Sequence, residues 1–352
     1  MVHLVKTIDA HAAGEPLRLV VEGLPRPAGK TMLHKREWLR RHADHLRRGI
    51  MLEPRGHADM YGALLTEPVS PGSDAGVLFM HNEGYSTMCG HGIVAVTTIA
   101  VERGLLAPAA AGASAPPAGG EAALVFDTPA GTVHATARLV GNGDHPRVDS
   151  VAFVNVPSFV YSAGHAVKVG AGFDSSRGRR ELRVDVAFGG AFYAIADTEA
   201  IGIPLEVRRL PELRRMATEI KESLESTLTI VHPAEPGLTG LYGVIFTGPP
   251  NDPEAHLRNL TVFADEEVDR SPCGTGTSAV MAVLDAMGLL PPNQPFVHES
   301  VIGTLFRGRI VRRTQVGDLP AIVPEIQGSA WITGEHTFLI DDEDPLREGF
   351  RI

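Results

Sequence analysis

Asp269-Arg270-Ser271-Pro272-Cys273-Gly274-Thr275-Gly276-Thr277-Ser278-Ala279 is the stretch that decides how this chain reads. A cysteine is followed at once by one glycine and, two residues later, by a second. The chain then enters an apolar segment, Ala279 to Met287, that suits a helix. Ser86-Thr87-Met88-Cys89-Gly90-His91-Gly92 repeats the arrangement and runs into Ile93 to Glu102. These two stretches hold the only two cysteines among 352 residues. A cysteine on Gly-rich backbone at the mouth of a helix sits where a thiolate is stabilised, because unpaired N–H groups and the positive end of the helix dipole favour an anion.

Three plainer readings compete. A lone buried Cys is ordinarily a small core residue, but two in matched contexts argue for a shared role. A disulfide would suit a secreted, oxidised protein, and nothing in the chain marks one. A zinc site needs two further ligands; only His91 lies near, and no Cys-x-x-Cys or His-x-x-x-His cluster exists, so no metal is expected.

Composition narrows the class. Hydrophobic residues make up 43% and charged residues 21%, as in ordinary soluble proteins. The net charge of −10 argues against a nucleic-acid partner. The Arg-rich run Lys35-Arg36-Glu37-Trp38-Leu39-Arg40-Arg41 does not overturn this. With Leu33, Trp38, Leu39 and Leu46 it reads as one amphipathic helix over 33–48 with a solvated basic face. No run approaches a membrane span and no signal-peptide core is visible, so no membrane partner and a cytoplasmic, reducing location are expected. The expected assembly is a monomer or homodimer.

The order of elements carries more than any single element. Strands at Leu4 to Ile8, Leu17 to Val21, Ala63 to Thr66 and Gly76 to His81 lead into the Cys89 motif and its helix. A polar loop, Glu53 to Gly62, precedes the third of these strands. An Ala/Pro/Gly/Ser-rich segment, 107–120, reads as a surface loop. A hairpin about Pro129-Ala130-Gly131 follows, then strands at Val184 to Phe188 and Gly189 to Tyr193, and a helix at Pro211 to Leu224. Strands at Leu228 to His232, Gly243 to Thr247 and Asn259 to Phe263 lead into the Cys273 motif, and strands at Thr304 to Val311 and Ala330 to Ile340 close the chain. Strands, Cys, helix, then strands, Cys, helix is an internal duplication of architecture. It predicts two similar α/β halves presenting one cysteine each to a shared cleft: 1–127, rejoined by about 330–352, and 128–329.

Two acid–base groups on opposite sides of a cleft suit inversion at a carbon stereocentre: one removes a proton, the other delivers one to the far face. Cysteine fits because its ordinary pKa, about 8.5, can be lowered toward the working pH at a helix N-terminus. One thiol and one thiolate must be present together, and the pair titrates as a unit. The Cα–H of an amino acid is a very weak acid, so donors must stabilise the developing enediolate. The Gly90-His91-Gly92 and Gly274-Thr275-Gly276 backbones are the suppliers. Asp269 is placed to hold a substrate ammonium or imino group, or else to pair with Arg270 or cap a helix.

The two cysteine motifs resemble the signature motifs of the proline racemase family. His11-Ala12-Ala13-Gly14-Glu15-Pro16, Glu53-Pro54-Arg55-Gly56-His57 and Ile332-Thr333-Gly334 are similar to further family blocks, so the resemblance covers nearly the whole chain. It implies a diaminopimelate-epimerase-like α/β fold of two pseudo-symmetric domains, each with a sheet wrapped around a central helix. It implies cofactor-independent two-base chemistry on proline or hydroxyproline. By that resemblance Cys89 and Cys273 are the bases, His91 and Asp269 contact the ring nitrogen, and Gly90, Gly274 and Thr275 take the carboxylate. Tyr61 and Phe263 would flank the ring. Some relatives in the family dehydrate trans-3-hydroxyproline and carry threonine where this chain has Cys273, so Cys273 favours racemisation or 2-epimerisation. Phe263 favours an unsubstituted ring, because a hydroxyl buried against it would lack a partner, whereas the Tyr61 hydroxyl could bond a substrate hydroxyl. Against that, Gly189 to Tyr193 and Phe263-Ala264-Asp265-Glu266 look more like the dehydratase branch. The rival readings are trans-3-hydroxyproline dehydratase and a catalytically silent imino-acid-binding protein.

Overall fold

The computed structural model describes residues 1–106, 120–141, 147–170, 180–290 and 294–352. Most of the expected 107–120 loop therefore lies outside the described residues. The chain divides into two units, Met1–Val154 with Gln327–Ile352, and Asn155–Ile326. A boundary after residue 127 would cut a hairpin whose strands pair along their whole length, which is why the first unit runs on to Val154.

The first unit contains β1 (Val2–Ala12), β2 (Glu15–Glu22), α1 (Met32–His42), α2 (Asp44–Met51), β3 (Tyr61–Thr66), β4 (Ala75–His81), α3 (Gly90–Glu102), β5 (Glu121–Thr128), β6 (Gly131–Val140) and β7 (Arg147–Val154). The second contains β8 (Ser158–Val169), β9 (Arg180–Phe188), β10 (Phe192–Asp197), α4 (Thr198–Ile201), α5 (Leu210–Glu225), β11 (Gly243–Gly248), β12 (Leu257–Phe263), β13 (Glu267–Asp269), α6 (Gly274–Ala286), β14 (Phe296–Glu299) and β15 (Leu305–Val316). Along β16 (Leu319–Gly328) the chain leaves the second unit, and β17 (Ala330–Asp341) belongs to the first.

In the first unit β17 pairs with β1, and β1 with β2, both antiparallel; β2 and β3 are parallel, β3 and β4 antiparallel, β4 and β5 parallel, and β5, β6 and β7 antiparallel. The parallel steps need crossovers, supplied by α1–α2 and by α3. The second unit repeats the scheme. β9–β10 is antiparallel, β10–β11 parallel across α4–α5, β11–β12 antiparallel, β12–β14 parallel across α6, and β14–β15 antiparallel. The expected duplication is thus a duplication of strand pairing.

The sequence period explains which elements wrap and which are wrapped. In β6, Val133, Ala135, Ala137 and Leu139 are buried and alternate with more exposed neighbours, as in a sheet with one covered face. β4 is buried throughout, a short apolar run covered on both faces. α3 is buried from Gly90 to Ala100 and packs against β1, β2, β3, β6, β7 and β17. A helix apolar on all sides must be enclosed, and this one is enclosed by its sheet. α6 is likewise buried from Gly274 to Val283 and packs against β8, β9, β10 and β15. The architecture is the diaminopimelate-epimerase-like one: in each unit a sheet wraps a central helix.

Two local expectations are corrected. The helix expected over 33–48 is two helices, broken at Ala43 (φ −135°). Arg47 pairs with Asp44 at 2.7 Å and donates to the carbonyls of His81 and Asn82, so α2 is anchored separately at the end of β4. The strand expected at Leu228 to His232 is an isolated bridge, Val231 to Thr239. Pro233 and Pro236 lie between its two residues and lack the N–H groups a longer ladder needs. Among the described residues no helix is long and apolar enough to cross a membrane.

Candidate active site

Cys89 is the N-cap of α3, and the Gly92 N–H donates to its Sγ at 3.2 Å. The motif explains the geometry. An extended Cys89 (φ −145°) leaves the helix path and turns its side chain back over the first turn, where N–H groups lack intrahelical partners. Gly92 is required by space: a Cβ there would lie 2.4 Å from the Phe79 ring and 2.9 Å from Cys89 Sγ. His91 Nδ1 lies 3.2 Å from the same sulfur. The Tyr61 ring meets His91 edge-on at 4.8 Å between centroids, and its hydroxyl donates to Ser86 Oγ at 2.6 Å. The loop before Tyr61 is tied down by Asn82, which accepts the Met60 N–H and donates to the Met51 and His57 carbonyls. Cys89, His91 and Tyr61 are all buried.

Cys273 caps α6 in the same way, with the Gly276 N–H donating to its Sγ at 3.3 Å. Its backbone is different. Cys273 has φ +59°, in the left-handed region that side chains other than glycine rarely adopt. Its neighbours hold it there. The Asp269 carboxylate accepts both the N–H and the hydroxyl of Ser271, at 2.8 and 2.7 Å, and Ser271 Oγ accepts the Cys273 N–H at 3.1 Å. The Pro272 carbonyl accepts from Asn259 Nδ2 at 2.7 Å and from the Thr277 hydroxyl at 3.0 Å. His298 Nδ1 lies 3.2 Å from Asn259 Nδ2 and 2.9 Å from Thr277 Oγ1. One Asp269 oxygen therefore shapes the cysteine turn through Ser271, while the cap of the helix itself is Cys273.

Thr275 lies beside the second cysteine, and Phe263 is linked to it through the rings of Tyr242 and Tyr193. Thr275 Oγ1 is 3.6 Å from Cys273 Sγ and 2.7 Å from the Tyr193 hydroxyl. Phe263 stacks on Tyr242 at 5.5 Å and 21°, and Tyr242 meets Tyr193 edge-on. Gly90 and Gly274 open the two helices. The structure thus gathers Cys89, Gly90, His91 and Tyr61 in the first unit, and Cys273, Gly274, Thr275, Asp269 and Phe263 in the second.

The electrostatics correct one expectation. The Cys273 thiol is pushed up to about 12, first by burial and then by the Asp269 carboxylate. The Thr275 hydroxyl, the Gly276 N–H and Tyr193 pull the other way and are outweighed. The helix N-terminus does favour the thiolate, but desolvation is the larger effect. Burial also holds His298 down to about 3, so this ring is neutral. Neither cysteine is in a disulfide. Among the described residues no group of three or more His, Cys, Asp or Glu side chains is arranged to hold a metal ion.

Sequence reasoning passed over Tyr193, Asn259 and His298 as site neighbours. Ser271 and Thr277 stood inside the quoted motif without a role. Tyr193 had one signal, its place just after Gly189-Gly190. A Cβ on Gly189 would lie 2.2 Å from the Thr275 carbonyl oxygen, so the strand is drawn hard against the helix mouth there.

The comparisons agree with this architecture. The chain is 45% identical over 344 residues to a trans-3-hydroxy-L-proline dehydratase of Bacillus cereus, covering 98% of this chain and 97% of that one. It is 42% identical over 348 residues to a 3-hydroxyproline 2-epimerase of Burkholderia multivorans, covering 99% and 98%. Its fold matches the crystal structure of a hydroxyproline epimerase from Agrobacterium vitis with bound trans-4-hydroxy-L-proline, with a TM-score of 0.86 at 30% identity over 99% of this chain and 96% of that one. The sequence model of the proline racemase family matches residues 7–351, so nearly the whole chain is accounted for, and the protein belongs to the proline racemase family.

Proposed function

We propose that this protein inverts the Cα centre of proline or a hydroxyproline without a cofactor, using Cys89 and Cys273 as its two acid–base groups. The observation that carries the reading is the matched pair of caps: each cysteine accepts an N–H from the third residue after it, on a buried helix. The thiolate takes the Cα proton, and the C–H electron pair passes into an enediolate. The other thiol gives its proton to the opposite face, and its S–H electron pair stays on sulfur. One thiol and one thiolate exist before and after, with their places exchanged, so charge and protons balance. In one of the two resting forms Cys273 is the acid and Cys89 the base, and in the other the places are exchanged.

The other roles follow from donor type. Backbone N–H groups at Gly90, Gly274 and Thr275 hold the substrate carboxylate and the enediolate formed from it. His91 and Asp269 address the ring nitrogen. Tyr61 and Phe263 flank the ring. A 3-hydroxylated ring is favoured by the names of the Bacillus cereus and Burkholderia multivorans relatives, which concern 3-hydroxyproline. Phe263, stacked on Tyr242, offers an apolar face that favours plain proline.

A second reading, dehydration of trans-3-hydroxy-L-proline, is favoured by the name of the relative at 45% identity. It begins with the same Cα deprotonation, but the electron pair then expels the 3-hydroxyl as water and no second carbon face is protonated. Chiral chromatography of reactions with L-proline, trans-4-hydroxy-L-proline and trans-3-hydroxy-L-proline separates the two. The proposal expects the Cα epimer of at least one of them. A cyclic imine from the 3-hydroxy compound, with no epimer from any, would replace it with the dehydratase reading. Tight binding of pyrrole-2-carboxylate, a planar mimic of the deprotonated ring, without turnover would leave only a binding protein.

A further inference from the structure

We propose that Tyr193 is a positioning residue for Cys273: through the Thr275 hydroxyl it aims a chain of O–H donors at Sγ and stabilises the thiolate form of that cysteine. The importance of that role rests on the reading of Cys273 as a group that gives up and regains a proton. Tyr193 lies on β10, is fully enclosed, and places its hydroxyl 2.7 Å from Thr275 Oγ1 and 3.8 Å from Cys273 Sγ. Thr275 Oγ1 is itself 3.6 Å from the sulfur. Each hydroxyl has one proton to give and lone pairs to accept.

A thiolate only accepts. With sulfur in that state Tyr193 donates to Thr275 and Thr275 donates to sulfur, and each bond polarises the next. With sulfur protonated both hydroxyls can turn about, so that S–H donates to Thr275 and Thr275 donates to Tyr193. The chain then fits both protonation states, and no proton leaves it. Without the phenol, the Thr275 hydroxyl loses the donor that commits its own proton to sulfur.

The surrounding charges make this chain consequential. Burial and the Asp269 carboxylate, from β13, both oppose a thiolate on Cys273; Tyr193, Thr275 and the Gly276 N–H are the groups that favour it. Tyr242 meets the Tyr193 ring edge-on at 5.8 Å between centroids. From the other strands packed on α6, Arg313 of β15 pairs with Asp285 in the last turn of the helix, and Asp185 of β9 accepts the Gly164 N–H. Tyr193 itself stays a phenol, because burial and the neighbouring sulfur charge disfavour its anion. Its ring is held against Tyr242, and Phe would keep that contact while removing the hydroxyl alone.

The test exploits the cysteine count. Cys89→Ser leaves Cys273 as the sole cysteine in the chain, so iodoacetamide uptake followed by mass spectrometry reports on that thiol without any need for turnover. At a fixed pH of about 8.5, adding Tyr193→Phe is expected to slow alkylation about tenfold, the factor that corresponds to one unit of thiol pKa. Thr275→Val should slow it similarly. Tyr193→Phe added to Thr275→Val should change little more, because the phenol acts through Thr275. A rate unchanged or faster in Tyr193→Phe would overturn the proposal, as would additive losses in the double variant or a Cys273 that never reacts. A protein that alkylates as expected but inverts no substrate would lose the two-base reading and keep this chain; one that inverts while its alkylation ignores Tyr193 would do the reverse.

Discussion

Gly276 donates its N–H to Cys273 Sγ at 3.3 Å, the same bond that Gly92 makes to Cys89 at 3.2 Å, yet the two cysteines reach it from different backbones. Cys89 is extended, while Cys273 sits at φ +59° in a turn held by Asp269, Ser271, Asn259 and Thr277. The two caps are equivalent for the sulfur and unequal for the chain.

Serine in place of either cysteine preserves size and the cap hydrogen bond, but its hydroxyl is far too weak an acid to exchange protons with a carbon. Cys89→Ser and Cys273→Ser should each reduce inversion by at least about a hundredfold, the low end of what a positioned acid–base group contributes. One of them should retain deuterium uptake at Cα without inversion, because a single thiolate still reaches one face. Wild-type rates of inversion in either variant, measured by polarimetry, would remove that cysteine from the mechanism.

Gly189→Ala tests the packing that delivers Tyr193 to the helix mouth. Its Cβ would meet backbone atoms, 2.2 Å from the Thr275 oxygen and 2.7 Å from the Ala279 nitrogen, and backbone cannot turn aside as a side chain can. Overpacking of this kind costs about 1–3 kcal/mol or more. Urea unfolding should show a lower midpoint, and Cys273 alkylation should change while that of Cys89 does not. An unaltered midpoint would mean the strand yields more easily than its contacts imply.

His298 supplies a pH dependence with a definite sign. Its folded-state value is depressed from 6.5 to about 3, so the unfolded chain takes up this proton first as pH falls. Its contribution is present in full above 6.5 and is lost as pH drops through that window, at about 1.4 kcal/mol per unit. His298→Asn should be less stable near neutrality and should lose stability less steeply between pH 6 and about 4. Parallel acid slopes for variant and wild type in urea titrations would contradict this.

The cap chemistry was legible because it is local. Cys followed by Gly at the first and third positions states where a helix begins and where a sulfur can approach N–H groups, as the Cys89 and Cys273 caps illustrate. The duplication was legible for a similar reason, since element order survives when letters do not. The proton affinity of Cys273 was not, because it depends on burial and on Asp269, which spacing alone does not measure. Tyr193 comes from a strand 80 positions before Cys273, and His298 and Asn259 from strands paired in parallel around α6. Nothing in a run of ten residues encodes such approaches. The break at Ala43 was hidden because its apolar positions keep helical spacing straight through it, while the anchoring of Arg47 to the His81 and Asn82 carbonyls is a long-range event.

The central claim is that two different thiols handle the two faces of one carbon, and the first turnovers in deuterated water test it most directly. Starting from protiated imino acid, the account predicts that the earliest inverted product is fully deuterated at Cα, because its new hydrogen comes from a solvent-exchanged thiol, while unreacted substrate remains protiated. Inverted product that retains the substrate's own hydrogen would mean that a single base carries the proton between faces. That result, read by NMR on whichever proline turns over fastest, would contradict the pairing of Cys89 with Cys273.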